Sequence, residues 1–441
     1  MPEARTLIAA VASGFTEFAF DPPRRRPDGP LDWPGYGDSL ARARERTGEI
    51  DSVISGRGKI GDREAVIIAF DFQFFGGSIG DVTGLRISEA FHRAAVAELP
   101  VVSLIASGGS RMQEGMRSLR QLQWIARART SHSDGFAHIA VLRNPTTGGI
   151  WAALGAGADV AIGVEGAQVG FGGSRVRPPE LAGHPAYTAE DQLASGQVDE
   201  VVAESSLRGV LAGWLELLPE PGREIEPAPV PQPLGSLTPA QDGWAAVVRA
   251  RSTDRPRALV YLDDYFQTRR PISGDRCGGV DPGMLCGIGC RDGQSIAYAA
   301  QTGTANTPAG FRTATRLIRL AERLNLPVLT LVDTPGAAAD PAAERAGLGP
   351  ALAELFGAVA ATEVPVTTLV IGEGGSGGAL AMASPNNTWI TPDAYFSVIA
   401  PELAAAILKR DAAEVPVIAG QLRLRPQDLV ELRVVRGIAG G

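Results

Sequence analysis

Residues 370–383 read VIGEGGSGGALAMA, an apolar run that carries five glycines and passes at once into an alanine-rich stretch. A counterpart, VLRNPTTGGIWAAL, stands at residues 141–154. About forty residues before each lies a second matched pair, LPVLTLVDTPG at 326–336 and LPVVSLIASGG at 99–109. The two offsets are 227 and 229 residues. Two separate matches held so nearly in register mark the duplication of one structural unit.

Around these pairs, short β-type runs alternate with helical periodicity. The first half predicts strands over 65–72, 101–106, 138–142 and 159–163. Its helices fall at 83–97, at 114–128 and briefly from Gly149. The second half predicts strands near 295–300, 328–332 and 366–371, with helices near 309–324 and 350–361. Strand–helix alternation of this kind argues for a parallel sheet in each half. Between them runs LPEPGREIEPAPVPQPLGSLTPAQDG (218–243), proline-rich and without apolar periodicity, the pattern of a linker. The expected organisation is a first domain over 1–217, a linker over 218–243 and a second domain over 244–441.

The totals agree with two α/β domains: 441 residues, 44% apolar and only 6% aromatic. A net charge of −8 argues against nucleic acid as a main partner. No apolar run approaches a bilayer span and no signal-peptide pattern opens the chain, so no membrane partner and a cytoplasmic location are expected. Lys59 and Lys409 are the only lysines, which leaves lysine-based chemistry, or a biotin-bearing lysine, almost nowhere to be. Cys277, Cys286 and Cys290 lack a nearby histidine and match no usual zinc spacing, so buried free thiols are expected and zinc is not.

Three readings compete for the glycines. Gly372, Gly374 and Gly377 satisfy G-x-G-x-x-G, but a lone dinucleotide fingerprint is weak, and NPTTGG in the other half lacks it. Glycines also let a helix approach a sheet closely. The third reading is an oxyanion site, because a strand that ends in glycine and opens a helix offers free N–H groups aligned with the helix dipole. Each half supplies two such places: Gly108 and Gly109 with Gly148 and Gly149, then Gly336 and Ala337 with Gly377 and Gly378. Losing one donor from such a site typically costs about 3–4 kcal/mol.

These residues resemble the biotin-dependent carboxyltransferases. The first half is similar to the β-type subunit of the acetyl-CoA carboxylase carboxyltransferase. The matching blocks are YGDSLARARERTGEID (36–51), FDFQFFGGSIGDVTGLRI (70–87), SGGSRMQEG (107–115), NPTTGG (144–149) and VGFGGSRV (169–176). The second half is similar to the α-type subunit, through TPAGFRTATRLIRLAERLNLPVLTLVDTPGA (307–337), VIGEGGSGGALA (370–381) and YFSVIAPE (395–402). The resemblance implies an α/β fold of two tandem crotonase-like (ClpP/crotonase superfamily) ββα-superhelix domains related by internal duplication. It implies transfer of a carboxyl group from carboxybiotin to the α-carbon of a short acyl-CoA, acetyl-CoA or propionyl-CoA, through an enolate.

On this resemblance, Gly108, Gly109, Gly148 and Gly149 would stabilise the thioester enolate. Gly336, Ala337, Gly377 and Gly378 would bind the ureido oxygen of biotin. Arg86, Arg111, Arg117, Arg120, Gly172, Gly173 and Arg175 are the implied contacts to the coenzyme A thioester. Arg111 and Glu114 are equally open to a structural role at a helix opening. The implied partners are a biotin carboxyl carrier protein, a biotin carboxylase and an acyl-CoA or acyl carrier protein. The family pairs the first-type domain of one protomer with the second-type domain of another, which implies a homodimer or higher homo-oligomer. The chain departs from the family in three places. Residues 1–35 hold no cysteine, where the β-type subunit has a zinc ribbon. The passage after DTPGA is short, and Leu403 and Lys409 replace a glycine and an aromatic. A decarboxylase of a malonyl-type thioester, or a non-catalytic scaffold of a carboxylase complex, are the competing expectations.

Overall fold

The computed structural model describes residues 3–23, 26–132, 135–173, 176–181, 183–219 and 224–440. The chain divides between Pro221 and Gly222 into two compact units. In the first, strands β1 (Ser13–Glu17), β2 (Val53–Ile60), β3 (Arg63–Phe70), β4 (Val101–Ser107), β5 (His138–Thr147), β6 (Val160–Val164) and β8 (Glu200–Val202) form one sheet in the order β1-β2-β3-β4-β5-β6-β8, and β7 (Val169–Gly170) pairs with the end of β5. The helices that matter for the site are α1 (Tyr36–Thr47), α2 (Asp81–Val96) and α3 (Met116–His132).

The second unit repeats this plan. Strands β9 (Thr268–Pro271), β10 (Met284–Arg291), β11 (Gln294–Gln301), β12 (Val328–Thr334), β13 (Val366–Gly375), β14 (Thr388–Ile390) and β16 (Gly437–Ile438) stand in the order β16-β14-β13-β12-β11-β10-β9, with β15 (Tyr395–Ser397) on the end of β13. Its helices include α4 (Gly243–Arg251), α5 (Pro308–Arg323), α6 (Leu348–Ala361), α7 (Ser376–Leu380) and α8 (Pro401–Ile407).

Neither sheet is purely parallel, which corrects the expectation. The inner pairs β3/β4, β4/β5, β11/β12 and β12/β13 are parallel, whereas β1/β2, β2/β3, β9/β10 and β10/β11 are antiparallel. Every residue of β4 and β12 is buried, as both faces of such a sheet are covered. On α5, Phe311, Ala314, Leu317, Ile318 and Ala321 recur at helical spacing and are buried, and Pro308 occupies the first turn where a missing N–H costs nothing. Burying Leu317 or Ile318 contributes roughly 1.5–3 kcal/mol each.

The proline-rich stretch expected as a linker is not a free tether over its described part. Leu218 is buried in the first unit, while Ala228 belongs to the core of the second. There Thr367 Oγ1 donates to the Ala228 carbonyl (2.7 Å), Tyr265 Oη to the Pro229 carbonyl (2.8 Å), and the Leu234 N–H to Tyr261 Oη (3.1 Å). Prolines suit this extended course, since they need no donor of their own.

Candidate functional site

Each unit turns its chain twice at the carboxyl ends of neighbouring parallel strands, and the two turns meet. In the first unit β4 ends at Ser107 and β5 at Thr147. A Cβ built on Gly148 would lie 3.2 Å from the Gly109 Cα. In the second, a Cβ on Gly378 would lie 2.5 Å from the Ala337 nitrogen and 2.8 Å from the Gly336 carbonyl carbon. The turns share their backbone form. Gly109 and Gly336 hold φ of +112° and +142°, and each N–H donates to a hydroxyl two residues back, Ser107 Oγ and Thr334 Oγ1, both at 3.1 Å. The next residues, Ser110 and Ala337, bridge to Ile79 and Asn306 respectively.

The hydrogen bonds sort the N–H groups by availability. Gly108 donates to the Gly76 carbonyl (2.9 Å), and Gly148 to those of Gly170 (3.2 Å) and Phe171 (3.0 Å). These two hold the turn together. Among the described residues, the N–H groups of Ser110, Gly149, Ala337, Gly377 and Gly378 meet no acceptor. Gly109 and Gly336 bond only a neutral hydroxyl in their own turn, which an anion can outcompete as the stronger acceptor. A Cβ built on Gly377 meets nothing within 4 Å, so this turn opens onto free space. The pattern suits a small oxygen anion, and a planar urea oxygen equally well.

Ladder register matches β4 to β12 with an offset of 227 and β5 to β13 with one of 228, as Val101 opposite His138 answers Val328 opposite Val366. Gly148 and Gly149 therefore correspond to Ser376 and Gly377, one residue away from the match between GG doublets. Ser376 keeps the left-handed backbone of its counterpart, with φ +53° beside +77° at Gly148. Ser110 and Ser376 are the two positions that sequence reading passed over. A positional count along the ladders, rather than a search for glycine, would have found them.

The arginines divide. Arg111 is fully buried, with Nη2 donating to Asp51 Oδ1 (2.6 Å) and to the Ser78 carbonyl (3.0 Å). Nη1 bonds Glu114 Oε1 (3.3 Å), Tyr36 Oη also bonds Glu114, and the guanidinium lies over Phe74 and Phe75. Burial works against this cation, but Asp51 and its hydrogen bond more than offset it, so its pKa lies above the usual guanidinium value. The network ties α1, the entry to β2 and the opening of α2, where Glu114 Oε2 accepts from the Asp81 N–H (2.5 Å). Arg111 thus braces the scaffold, the structural role that the sequence left open for it. Arg86 is likewise buried, paired with Glu17 beneath Phe20. Arg117 and Arg120 are exposed on α3, the first paired with Asp81 (2.7 Å), the second over Trp124. Gly172 and Gly173 follow β7 beside the first turn, Gly173 facing Thr147 Oγ1. Arg175 lies outside the described residues.

In the second unit Asp333, fully buried, receives Arg255 (2.5 Å) and Arg257 (3.1 Å), and Glu373 receives Arg251 (2.7 Å) and Tyr395 Oη (2.7 Å). These pairs brace the strands that carry the turns. His132 and His138 are packed with Phe91, and His138 begins β5, the end opposite Gly148. His92 and His184 are exposed. Of the cysteines only Cys286 is buried, its thiol pushed up to about 12 by burial; Cys277 is exposed and Cys290 half-buried, which corrects the expectation of three buried thiols. Among the described residues no cluster of three or more His, Cys, Asp or Glu is placed to hold a metal, and no helix is long and apolar enough to cross a membrane.

Two family descriptions match, the carboxyl transferase domain over residues 33–235 and the acetyl co-enzyme A carboxylase carboxyltransferase-like family over 236–440. The acetyl-coenzyme A carboxylase carboxyl transferase subunits beta/alpha of Clostridium tetani are 35% identical, covering 91% of this chain and 72% of that one. Those of Salinispora tropica are 38% identical over 99% and 81%. A Mycobacterium tuberculosis chain named "Probable biotin-dependent acyl-coenzyme A carboxylase beta3 subunit" is 33% identical over 91% and 82%. Among solved structures, the transcarboxylase 12S hexamer core with hydrolysed methylmalonyl-coenzyme A bound shares the fold, with a TM-score of 0.81 at 21% identity over 99% of this chain and 86% of that one. A single-chain long-chain acyl-CoA carboxylase gives 0.75 at 19% identity over 99% and 44%.

Proposed function

The chain belongs to the acetyl-coenzyme A carboxylase carboxyl transferase family, and on that footing we propose that it moves a carboxyl group from carboxybiotin to the α-carbon of a short acyl-CoA. One observation carries this reading: both units present N–H groups without an acceptor among the described residues where two glycine turns meet at the ends of parallel strands. In the first unit the N–H groups of Ser110 and Gly149, with Gly109, hold the thioester oxygen. They gain most as charge builds there on loss of the α-proton, each donor contributing about 3–4 kcal/mol to the enolate-like transition state. In the second unit the N–H groups of Ala337, Gly377 and Gly378 hold the urea oxygen.

Biotin, arriving on a separate carrier protein, supplies the activated carboxyl group and then a nitrogen able to take the α-proton. The protein's part is positioning and fixed dipoles. Glycine at 378 is what leaves the Ala337 N–H uncovered. The partners in this reading are a biotin carboxyl carrier protein and a biotin carboxylase in the cytoplasm, with the chain working as a homodimer or higher homo-oligomer.

The test is transfer of labelled carboxylate from a carboxylated carrier to acetyl- and propionyl-CoA. Wild-type protein should yield the labelled malonyl-type thioester. Gly378→Ala, whose methyl falls on the Ala337 N–H, should lower that rate about 100-fold or more with acyl-CoA affinity unchanged. Carbon dioxide release from malonyl-CoA without biotin, and no labelled transfer, would identify a decarboxylase instead.

A further inference from the structure

Gln301 closes β11 and stands where Phe70 closes β3. Each ends the inner strand of an antiparallel hairpin in the same register, Met284 opposite Gln301 and Val53 opposite Phe70. Both side chains are completely buried, yet one is a phenyl ring and the other a carboxamide. A buried amide needs a compensating bond. Gln301 Nε2 donates to the Gly378 carbonyl at 3.0 Å, while Oε1 has no partner among the described residues. Of its two N–H donors and its acceptor oxygen, a single N–H is thus used, and leucine would serve packing better. The bond that it does make is the reason for the residue.

That bond falls on a carbonyl that the short helix leaves open. In α7 the Ala381 N–H bonds the Gly377 carbonyl and the Met382 N–H that of Ala379, so the Gly378 carbonyl has no main-chain donor among the described residues. By ladder register the first unit has Ile150 at this place, with its side chain buried. The second unit has no room for one, since a Cβ at 378 would sit 2.5 Å from the Ala337 nitrogen. The second turn lacks that side chain, and Gln301 supplies a hold on its backbone instead.

We infer that Gln301 is a positioning residue of the second turn, fixing the 378–379 peptide so that the Gly377 and Gly378 N–H groups stay aimed beside that of Ala337. This rests on the reading that the second turn takes the urea oxygen. Full-length Gln301→Leu should transfer carboxylate about 10–100-fold more slowly, with KM for acyl-CoA and the melting temperature little changed. Gln301→Glu keeps the volume but, ionised, only accepts; protonated, it donates again. Its rate relative to wild type should therefore rise as pH is lowered from 8 to 6, a burial-raised carboxyl titrating in that range. Wild-type protein that transfers nothing would refute the functional reading. With wild type active, folded variants within twofold of it overturn the inference, as does loss of stability with kcat preserved. Should Gln301→Leu not fold, the isosteric variant decides: a pH profile parallel to that of wild type overturns the inference.

Discussion

Ser376 sits in a backbone region that costs a side-chain-bearing residue about 1–2 kcal/mol, at the place where the first unit has Gly148. Matching the two GG doublets hides it, because the doublets are one residue out of structural register. The glycines themselves differ in kind. Gly377 faces open space, whereas a Cβ on Gly149 would lie 2.1 Å from Leu122 Cδ1. Gly149→Ala should therefore act twice, pushing Leu122 aside at a cost of about 1–3 kcal/mol and crowding the free N–H. Adding Leu122→Ala should restore the melting temperature but not thioester turnover. Recovery of both together would mean that Gly149 serves packing alone.

At the scale of elements, the buried strands were readable from their apolar runs, but the outer hairpin strands β2 and β10 were not. VISGRGKI and MLCGIGCR look like loops because each carries glycines. A Cβ on Gly56 would strike the Thr16 carbonyl (2.4 Å) and one on Gly287 that of Arg270 (2.2 Å), so these glycines admit the edge strand. Helix α8 shows how an element is held by charge. Arg251 on α4 bonds both Glu373 of β13 and Glu402 in the first turn of α8. Burial alone would raise the Glu402 carboxyl, and the Arg251 hydrogen bond overrides it to leave the pKa below the ordinary glutamate range. A depressed folded-state pKa means that this anchorage is complete above about pH 4.5 and fades as pH falls through the lower value. Amide exchange across 401–407 should accelerate selectively below that pH. In Glu402→Gln it should already be faster at neutral pH and lose this acid-side rise.

The whole molecule is two units, each with its own core, and this sets where the chain can be cut. Separate polypeptides 1–221 and 222–441 should each unfold cooperatively. Starting the second at residue 244 instead strips away Ala228, Val230 and Leu234, which pack on its core. Losing about 3 kcal/mol of packing should lower its melting temperature by about 6–12 °C, measured calorimetrically. Equal stability of the two versions would return 224–243 to the role of a tether.

Duplication, the strand–helix alternation, and the location of four glycine turns were all written in the order of residues, because apolar periodicity and backbone freedom act over a few neighbours. Which N–H groups stay free was decided by carbonyls brought from far along the chain, Gly76 to Gly108 and Gly170 to Gly148. The same holds for Arg111, whose charge is claimed by an aspartate sixty positions away. Availability of a donor or a charge depends on what folds against it, and that exists only once the chain has closed upon itself.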